Sequence, residues 1–131
     1  MPSSLPRRPA STAELASLIA AAVEAGEQVR LTGSGSLPLS VFDDADDGAG
    51  RGVRDISTLR MNKVLEHAVA EMMVTVQAGI TLEALQRHLA WENQWLPVDP
   101  PVLDSGDGAR TPGQRTIGGL IATNSLGPLQ F

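Results

Sequence analysis

Two adjacent glycines at the start of a predicted helix constrain this chain more than any other feature. Thr116 can cap a helix whose second and third residues are then Gly118 and Gly119. Glycine is a poor helix former, so a pair at this place needs a reason. One reason is a phosphate bound close to the backbone, where free N–H groups and the positive end of the helix dipole favour an anion. The other is tight packing between helices, and this segment alone leaves both explanations open.

A second glycine segment lies far upstream and directly follows a predicted strand. Residues 28–32 alternate as a strand does, and residues 33–36 read Gly-Ser-Gly-Ser. The backbone N–H groups of such a loop can form a nest for an anion. The third glycine of the dinucleotide-binding fingerprint is absent, and Pro38 argues against a helix opening there. An ordinary surface turn is therefore the alternative reading of this loop.

Composition restricts the class of protein. The 131 residues suffice for one domain, and a hydrophobic content of 42% argues against a disordered chain. The net charge of −5 disfavours a nucleic-acid partner, which would require a basic face. The absence of cysteine excludes disulfides, thiolate catalysis and cysteine-ligated zinc. No apolar run approaches the roughly 20 residues that span a bilayer, and no signal peptide is recognisable, so we expect a cytoplasmic protein without a membrane span.

The first half of the chain predicts an extended lead-in, a helix and three strands. Residues 1–10 are proline-rich, and Ser11 with Glu14 forms a capping box for a helix that ends at Gly26. After the glycine loop, residues 53–56 predict a strand, followed by one helical turn. Residues 64–69 and 72–78 predict two strands joined as a hairpin, with Val74, Val76 and Ala78 on one face.

The second half predicts a helix and a proline-rich path. Thr81 caps the helix, and Leu82, Leu85 and Leu89 form its buried stripe. Residues 91–101 contain three prolines, which prevent regular strand pairing and favour an extended path. Both tryptophans belong to this path, so we expect it to pack against the body of the protein. Residues 103–115 predict a loop.

Reactive side chains are sparse. His67 is predicted on a strand and His88 on a helix, with no partner at catalytic or metal-binding spacing, so both are interpreted as structural or surface residues. The acidic run between positions 43 and 47 fits no metal-binding motif and is interpreted as a solvated loop. The serines lack the context of a hydrolase nucleophile. The residues thus offer two candidate phosphate-binding segments, no catalytic residue and no metal site.

The order of these segments resembles that of a known flavoprotein family. It is similar to the FAD-binding domain of the vanillyl-alcohol oxidase / p-cresol methylhydroxylase (PCMH-type) family, and within it to the FAD-binding subunit of bacterial glycolate oxidase. No single motif is specific, but their order is. The segments that carry the resemblance are the capped helix and residues 29–36, 55–59, 74–82, 94–101, 116–119 and 122–128.

The resemblance implies an α+β fold, with residues 11–131 forming the first α/β subdomain of a PCMH-type FAD-binding domain and the start of the second. It implies FAD as the cofactor, with the pyrophosphate on the upstream loop and the downstream glycines on the other side. Ser36 stands where some relatives carry a histidine that links the flavin covalently, so we expect non-covalent FAD. Thr32 stands where many relatives carry arginine. The predicted cofactor-binding residues are Thr32, Gly33, Ser34, Gly35, Ser36, Thr116, Ile117, Gly118, Gly119, Thr123 and Asn124.

The function implied is that of the N-terminal part of an FAD-dependent oxidoreductase of the glycolate oxidase type, which oxidises a small 2-hydroxy acid. The alternatives are an FAD-linked alcohol or sugar oxidase of the same family, and a non-catalytic remnant that binds a partner subunit or an anion. Since the family's domain continues past Phe131, we expect the 131-residue chain to be inactive alone and to bind FAD weakly or not at all. We also expect a homodimer of this chain, or partner subunits of a glycolate oxidase-like complex, to cover exposed apolar surface.

Overall fold

A computed structural model describes residues 5–35, 52–101, 114–125 and 127. Within these ranges helices and strands are mixed, which confirms the predicted α+β class. No helix in the described ranges is long and apolar enough to cross a membrane. The elements in chain order are α1 (Thr12–Glu24), β1 (Gln28–Thr32), β2 (Val53–Ser57), a 3-10 helix (Thr58–Arg60), β3 (Val64–Ala68), a second 3-10 helix (Val69–Glu71), β4 (Met73–Val76), α2 (Leu82–Ala90) and α3 (Ile117–Ala122).

Helix α1 begins at the predicted cap. The Ser11 hydroxyl accepts a hydrogen bond from the Glu14 N–H at 3.2 Å. The Glu14 carboxylate in return accepts from the N–H of Ala10 at 2.8 Å, one residue earlier than in the standard capping box. At the other end Gly26 adopts a φ of +66°, which lets the chain leave the helix and enter β1. Both ends of α1 are therefore specified by residues within the helix and its flanks.

Replacement by alanine is expected to have opposite effects on stability at the N-cap serine and at the serine inside this helix. Ser11→Ala removes the cap and is expected to lower the free energy of unfolding by about 1 kcal/mol. Ser17 donates to the Ala13 carbonyl from inside the helix, at 3.0 Å. Ser17→Ala is therefore expected to be neutral or stabilising by up to about 0.5 kcal/mol, since alanine is the better helix former. Urea denaturation of the two variants checks the pair, and equal losses of stability would contradict it.

Strands β1 and β2 pair in parallel and place the upstream glycine loop. Their register aligns Arg30 with Asp55, whose side chains form a two-point ion pair at 2.6 and 3.0 Å. The lead-in continues the backbone pairing. The Arg7 N–H donates to the backbone carbonyl of Asp55, and the Ser57 N–H donates to the backbone carbonyl of Arg7. Residues 33–35 leave the sheet at the carboxyl end of β1, next to the end of β2.

Strands β3 and β4 form the predicted hairpin, and α2 packs against it. The strands are antiparallel with an irregularity between Val64 and Glu66. Strand β4 ends at Val76, two residues earlier than predicted, and Thr81 caps α2 as expected. The core of this half consists of the predicted α2 leucines with Ile80 and two residues of α3, and the residues concerned are Ile80, Leu82, Leu85, Leu89, Ile117 and Leu120.

The path after α2 packs against the body, but not through its tryptophans. The predicted packing of the path is confirmed, but Trp91 is 82% exposed and Trp95 is 63% exposed, so the tryptophans that suggested this packing do not make it. Leu96 and Val98 pack on the core instead. The Gln86 side chain also holds the path, donating to the Leu96 carbonyl at 2.7 Å and accepting from the Leu96 N–H at 2.9 Å. Aromatic residues bury large areas when they can, but sequence position alone does not show where the cavity for them is.

The two histidines contact each other, which the sequence did not predict. Their ring centroids lie 5.1 Å apart. His67 Nε2 lies 2.9 Å from Gln94 Oε1, and Gln94 donates to the Val69 carbonyl at 2.7 Å. These bonds tie the region of β3 to the segment that follows α2, so His67 has a structural role. The pairing with His88 arises only because α2 packs across the hairpin.

Candidate functional site: a cleft between two glycine segments

The upstream glycine loop is held by its carbonyl groups. The Ser57 hydroxyl donates to the Gly33 carbonyl at 3.0 Å, and the Thr58 hydroxyl lies 3.4 Å from the Thr32 carbonyl. Because a trans peptide places the C=O and the following N–H on opposite sides, the N–H of residue 34 is directed away from Ser57. Gly35 has a φ of +68°, a conformation that favours glycine. The loop therefore has one anchored side and one side that faces away from β2.

The downstream helix start is fully hydrogen-bonded within the protein. The Ile117 N–H donates to the Ile80 carbonyl and the Gly118 N–H to the Ala78 carbonyl, each at 2.9 Å. The Gly119 N–H donates to the Thr116 hydroxyl at 3.2 Å, which confirms the predicted cap. The expectation of free N–H groups at this helix start is therefore wrong. The strand-to-helix turn at residues 78–80 packs so closely that it uses the donors a phosphate would need.

The two glycine segments nevertheless meet. A Cβ atom added to Gly33 would overlap the hydroxyl of Thr116, so the two segments can touch only because residue 33 has no side chain. Beside this contact lies a cleft of about 140 Å³. Its wall is formed by the end of β1, the glycine loop and one face of α3, and the lining residues are Leu31, Thr32, Gly33, Ser34, Gly35, Arg115, Thr116, Gly119, Ala122 and Thr123.

The structure places most of the predicted cofactor-binding residues at this cleft, but not all. Ile117 is buried in the core, and Gly118 packs against Ala78, where an added Cβ would lie 3.0 Å from the Ala78 carbonyl oxygen. Asn124 is exposed outside the lining, with a φ of +49°. Ser36 lies outside the described residues. The predicted residues that line the cleft are Thr32, Gly33, Ser34, Gly35, Thr116, Gly119 and Thr123.

Arg115 is a lining residue that the sequence does not mark, since it stands at the end of a predicted loop. It is only 4% exposed. Its carbonyl accepts from the Leu82 N–H at 2.9 Å, and its Nη2 donates to the Thr123 hydroxyl at 3.3 Å. Its Nη1 is buried and has no hydrogen-bond partner in the described residues. Burial lowers the pKa of the guanidinium, because desolvation disfavours the charged form.

Comparison with known proteins identifies the family. A family model described as an FAD binding domain matches residues 5–131. The chain belongs to this FAD-binding family. The match confirms FAD as the predicted cofactor. Glycines at both walls and a buried cation at one wall are features that suit the pyrophosphate of this cofactor.

Two relatives are named as an oxidase and a dehydrogenase, and their names differ from the substrate predicted first. The chain is 35% identical over 121 residues to L-gulonolactone oxidase 5 of Arabidopsis thaliana, covering 91% of this chain and 18% of the relative. It is 37% identical over 111 residues to an L-gulono-1,4-lactone dehydrogenase of Mycobacterium tuberculosis, covering 81% of this chain and 24% of the relative. These names contain a sugar lactone, so the narrower resemblance to glycolate oxidase stays a prediction.

A solved structure supports the fold. The chain superposes on alkyldihydroxyacetonephosphate synthase with a TM-score of 0.70 and 28% identity, covering 88% of this chain and 19% of that one. The protein thus spans about a quarter or less of the length of the relatives that it matches.

Proposed function

We propose that this chain binds the pyrophosphate of FAD in the cleft between the residue 33–35 loop and α3, as the cofactor-binding part of an FAD-dependent oxidoreductase. The observation that carries the proposal is the contact of Gly33 with Thr116. These residues are 83 positions apart, and the absence of a side chain at position 33 is what allows them to meet beside a cleft. In a chain of the FAD-binding family, the cleft beside this junction suits a ligand that approaches backbone closely, because Gly119 contributes no side chain to its lining.

The fit of a pyrophosphate rests on both walls. On the loop wall, Gly33 and Gly35 bring backbone without side chains to the cleft, so a ligand can lie close to the main chain. On the other wall, α3 contributes side chains instead of backbone donors, because its first N–H groups are occupied. Phosphate oxygens accept hydrogen bonds from hydroxyl and guanidinium groups, and the described lining contains both kinds.

The cleft supplies binding and not acid–base catalysis. Its described lining contains no carboxylate, histidine or cysteine side chain. FAD, when bound, supplies the oxidising group of the reaction. The part of this chain in that reaction is to hold and orient the cofactor. The prediction that the flavin is held non-covalently rests on Ser36, which stands where some relatives carry the linking histidine, and on the absence of cysteine from the sequence.

The substrate remains a choice between two predicted classes. A small 2-hydroxy acid is the first and an alcohol or sugar is the second. The names of the relatives, an L-gulonolactone oxidase and an L-gulono-1,4-lactone dehydrogenase, favour the second class. The predicted partner subunits and homodimer are supported only by exposed apolar side chains, among which Met72 is 84% and Leu65 61% exposed.

Titration of the ¹⁵N-labelled chain tests the proposal, because NMR detects even weak binding. FAD and ADP, which carry a pyrophosphate, are expected to shift the amide signals of the cleft residues, with the largest changes at Gly33, Gly35 and Thr123. Adenosine, which carries the same base and sugar without phosphate, is expected to leave these signals in place. Dialysis is expected to restore the original spectrum if binding is non-covalent.

Two outcomes would contradict the proposal. One is a spectrum that does not change at millimolar FAD and ADP. The other is a set of shifts confined to the hairpin of β3 and β4, since that would place the ligand elsewhere on the molecule.

A further inference from the structure

We infer that Arg115 is the positive charge that receives the FAD pyrophosphate, through a guanidinium whose Nη1 nitrogen has no hydrogen-bond partner among the described residues. The inference rests on the proposed function, because it assigns a residue to the same cleft. The inference assigns a positively charged side chain to the α3 side of this cleft, where the sequence indicates only glycine segments.

The first argument is an uncompensated charge in the interior. Arg115 is 4% exposed, and no described carboxylate forms an ion pair with it. Buried charges in proteins are normally paired, because removal from water is strongly unfavourable. Burial lowers the pKa of this group, but an arginine does not lose its proton in proteins. The charge therefore requires an anion, and the chain does not supply one from its described residues.

The second argument is position. The backbone of Arg115 is held by the Leu82 N–H, and the next residue is the cap of α3. Its side chain reaches Thr123 just beyond the other end of α3, so the guanidinium lies along the helix. Arg115 and the glycine loop both line the same cleft. A planar guanidinium is well suited to phosphate, because it can offer two parallel N–H groups to two oxygens.

A structural role is the competing explanation. Arg115 could serve only to fasten the end of α3, where the helix dipole favours a cation. The bond to Thr123 is 3.3 Å long, beyond the usual range for a hydrogen bond from nitrogen to oxygen. It also involves only Nη2 and leaves Nη1 without a partner. A purely structural role therefore accounts for the position of Nη2 but leaves Nη1 buried without a hydrogen bond, which is energetically unfavourable.

The test compares Arg115→Met, Arg115→Lys and Arg54→Met. Arg54 is partly buried and paired with Glu27 at 2.7 Å, outside the cleft, so its substitution removes the same charge elsewhere. Affinity is measured by NMR titration with FAD, ADP and inorganic pyrophosphate, and the melting temperature is measured without ligand. Arg115→Met is expected to weaken binding of all three ligands by about tenfold or more, as for loss of a charged hydrogen bond.

Stability distinguishes the two roles. If Arg115 receives the pyrophosphate, Arg115→Met removes an unpaired buried charge, so the ligand-free melting temperature is unchanged or higher. Arg115→Lys should keep part of the affinity, and Arg54→Met should keep all of it. A folded Arg115→Met protein that binds within twofold of the native affinity overturns the inference and leaves the proposed function standing. The inference is also overturned if Arg115→Met lowers the melting temperature and keeps the native affinity. A native chain that binds none of the three ligands overturns the proposed function and the inference with it.

Discussion

Gly119→Val is expected to abolish detectable FAD and ADP binding while the protein stays folded. Apart from the Thr116 hydroxyl at 3.0 Å, no atom of the described residues outside the local helix backbone lies within 4 Å of a Cβ built on Gly119. Since Gly119 lines the cleft, the added side chain would project into the space proposed for the pyrophosphate. The contact with Thr116 requires a shift of only a few tenths of an ångström, so the loss of stability should be small. A phosphate contact, by contrast, depends on distances near 3 Å and tolerates little displacement.

The neighbouring glycine provides the matched control. A Cβ on Gly118 would lie 2.9 Å from the Ala78 Cβ and 3.0 Å from the Ala78 carbonyl oxygen. Gly118→Val is therefore expected to lower the free energy of unfolding by about 1–3 kcal/mol, as overpacked sites do. The protein that remains folded should still show the ligand-induced shifts. The sequence leaves packing and ligand binding open for this pair, and the structure assigns packing to Gly118.

Thermal melts without ligand, together with ADP titrations, measure both variants. The assignment would be contradicted if Gly119→Val kept native ADP affinity and lost stability as Gly118→Val does. That result would mean that both glycines serve packing. A second check uses Gly35→Val, which changes a residue with a positive φ on the opposite wall and should also remove binding.

Gly79→Ala is expected to be strongly destabilising, by about 3 kcal/mol or more. Gly79 is buried between β4 and α2, and its N–H donates to the Met61 carbonyl at 2.8 Å. A Cβ at this position would overlap the backbone carbonyl of Thr58 and lie 2.8 Å from the Met61 oxygen. Backbone on both sides cannot move aside as a flexible side chain can. In a marginally stable domain a loss of this size leaves much of the protein unfolded.

Gly52→Ala is the control for this prediction. A Cβ there would lie 3.5 Å from the Glu27 Cγ, an ordinary contact. The substitution is expected to be neutral, or stabilising by about 0.4–1 kcal/mol, because alanine restricts the unfolded chain. Urea denaturation of both variants gives the comparison. Two equally stable proteins would show that the turn at residue 79 relaxes, and that its close approach to Thr58 does not limit stability.

The local elements of this fold could be predicted because their signals act over a few residues. The caps at Ser11, Thr81 and Thr116 each bind an N–H three residues ahead, so a short stretch of sequence contains the whole interaction. The alternation in β4 and the leucine stripe of α2 are similarly local. The family resemblance reached further, since it rests on the order of these elements along the chain.

The sequence by itself thus determined the helices, the hairpin, the α+β class and the two glycine segments of the candidate site. Tertiary structure alone decided that Trp91 is exposed, that His67 meets His88 and that the α3 donors are used by the turn at residues 78–80. It also decided the burial of Arg115, which depends on how α2, α3 and the end of β1 come together. The physical reason is that burial and hydrogen-bond satisfaction depend on neighbours from distant parts of the chain, whereas capping and periodicity depend on neighbours in sequence.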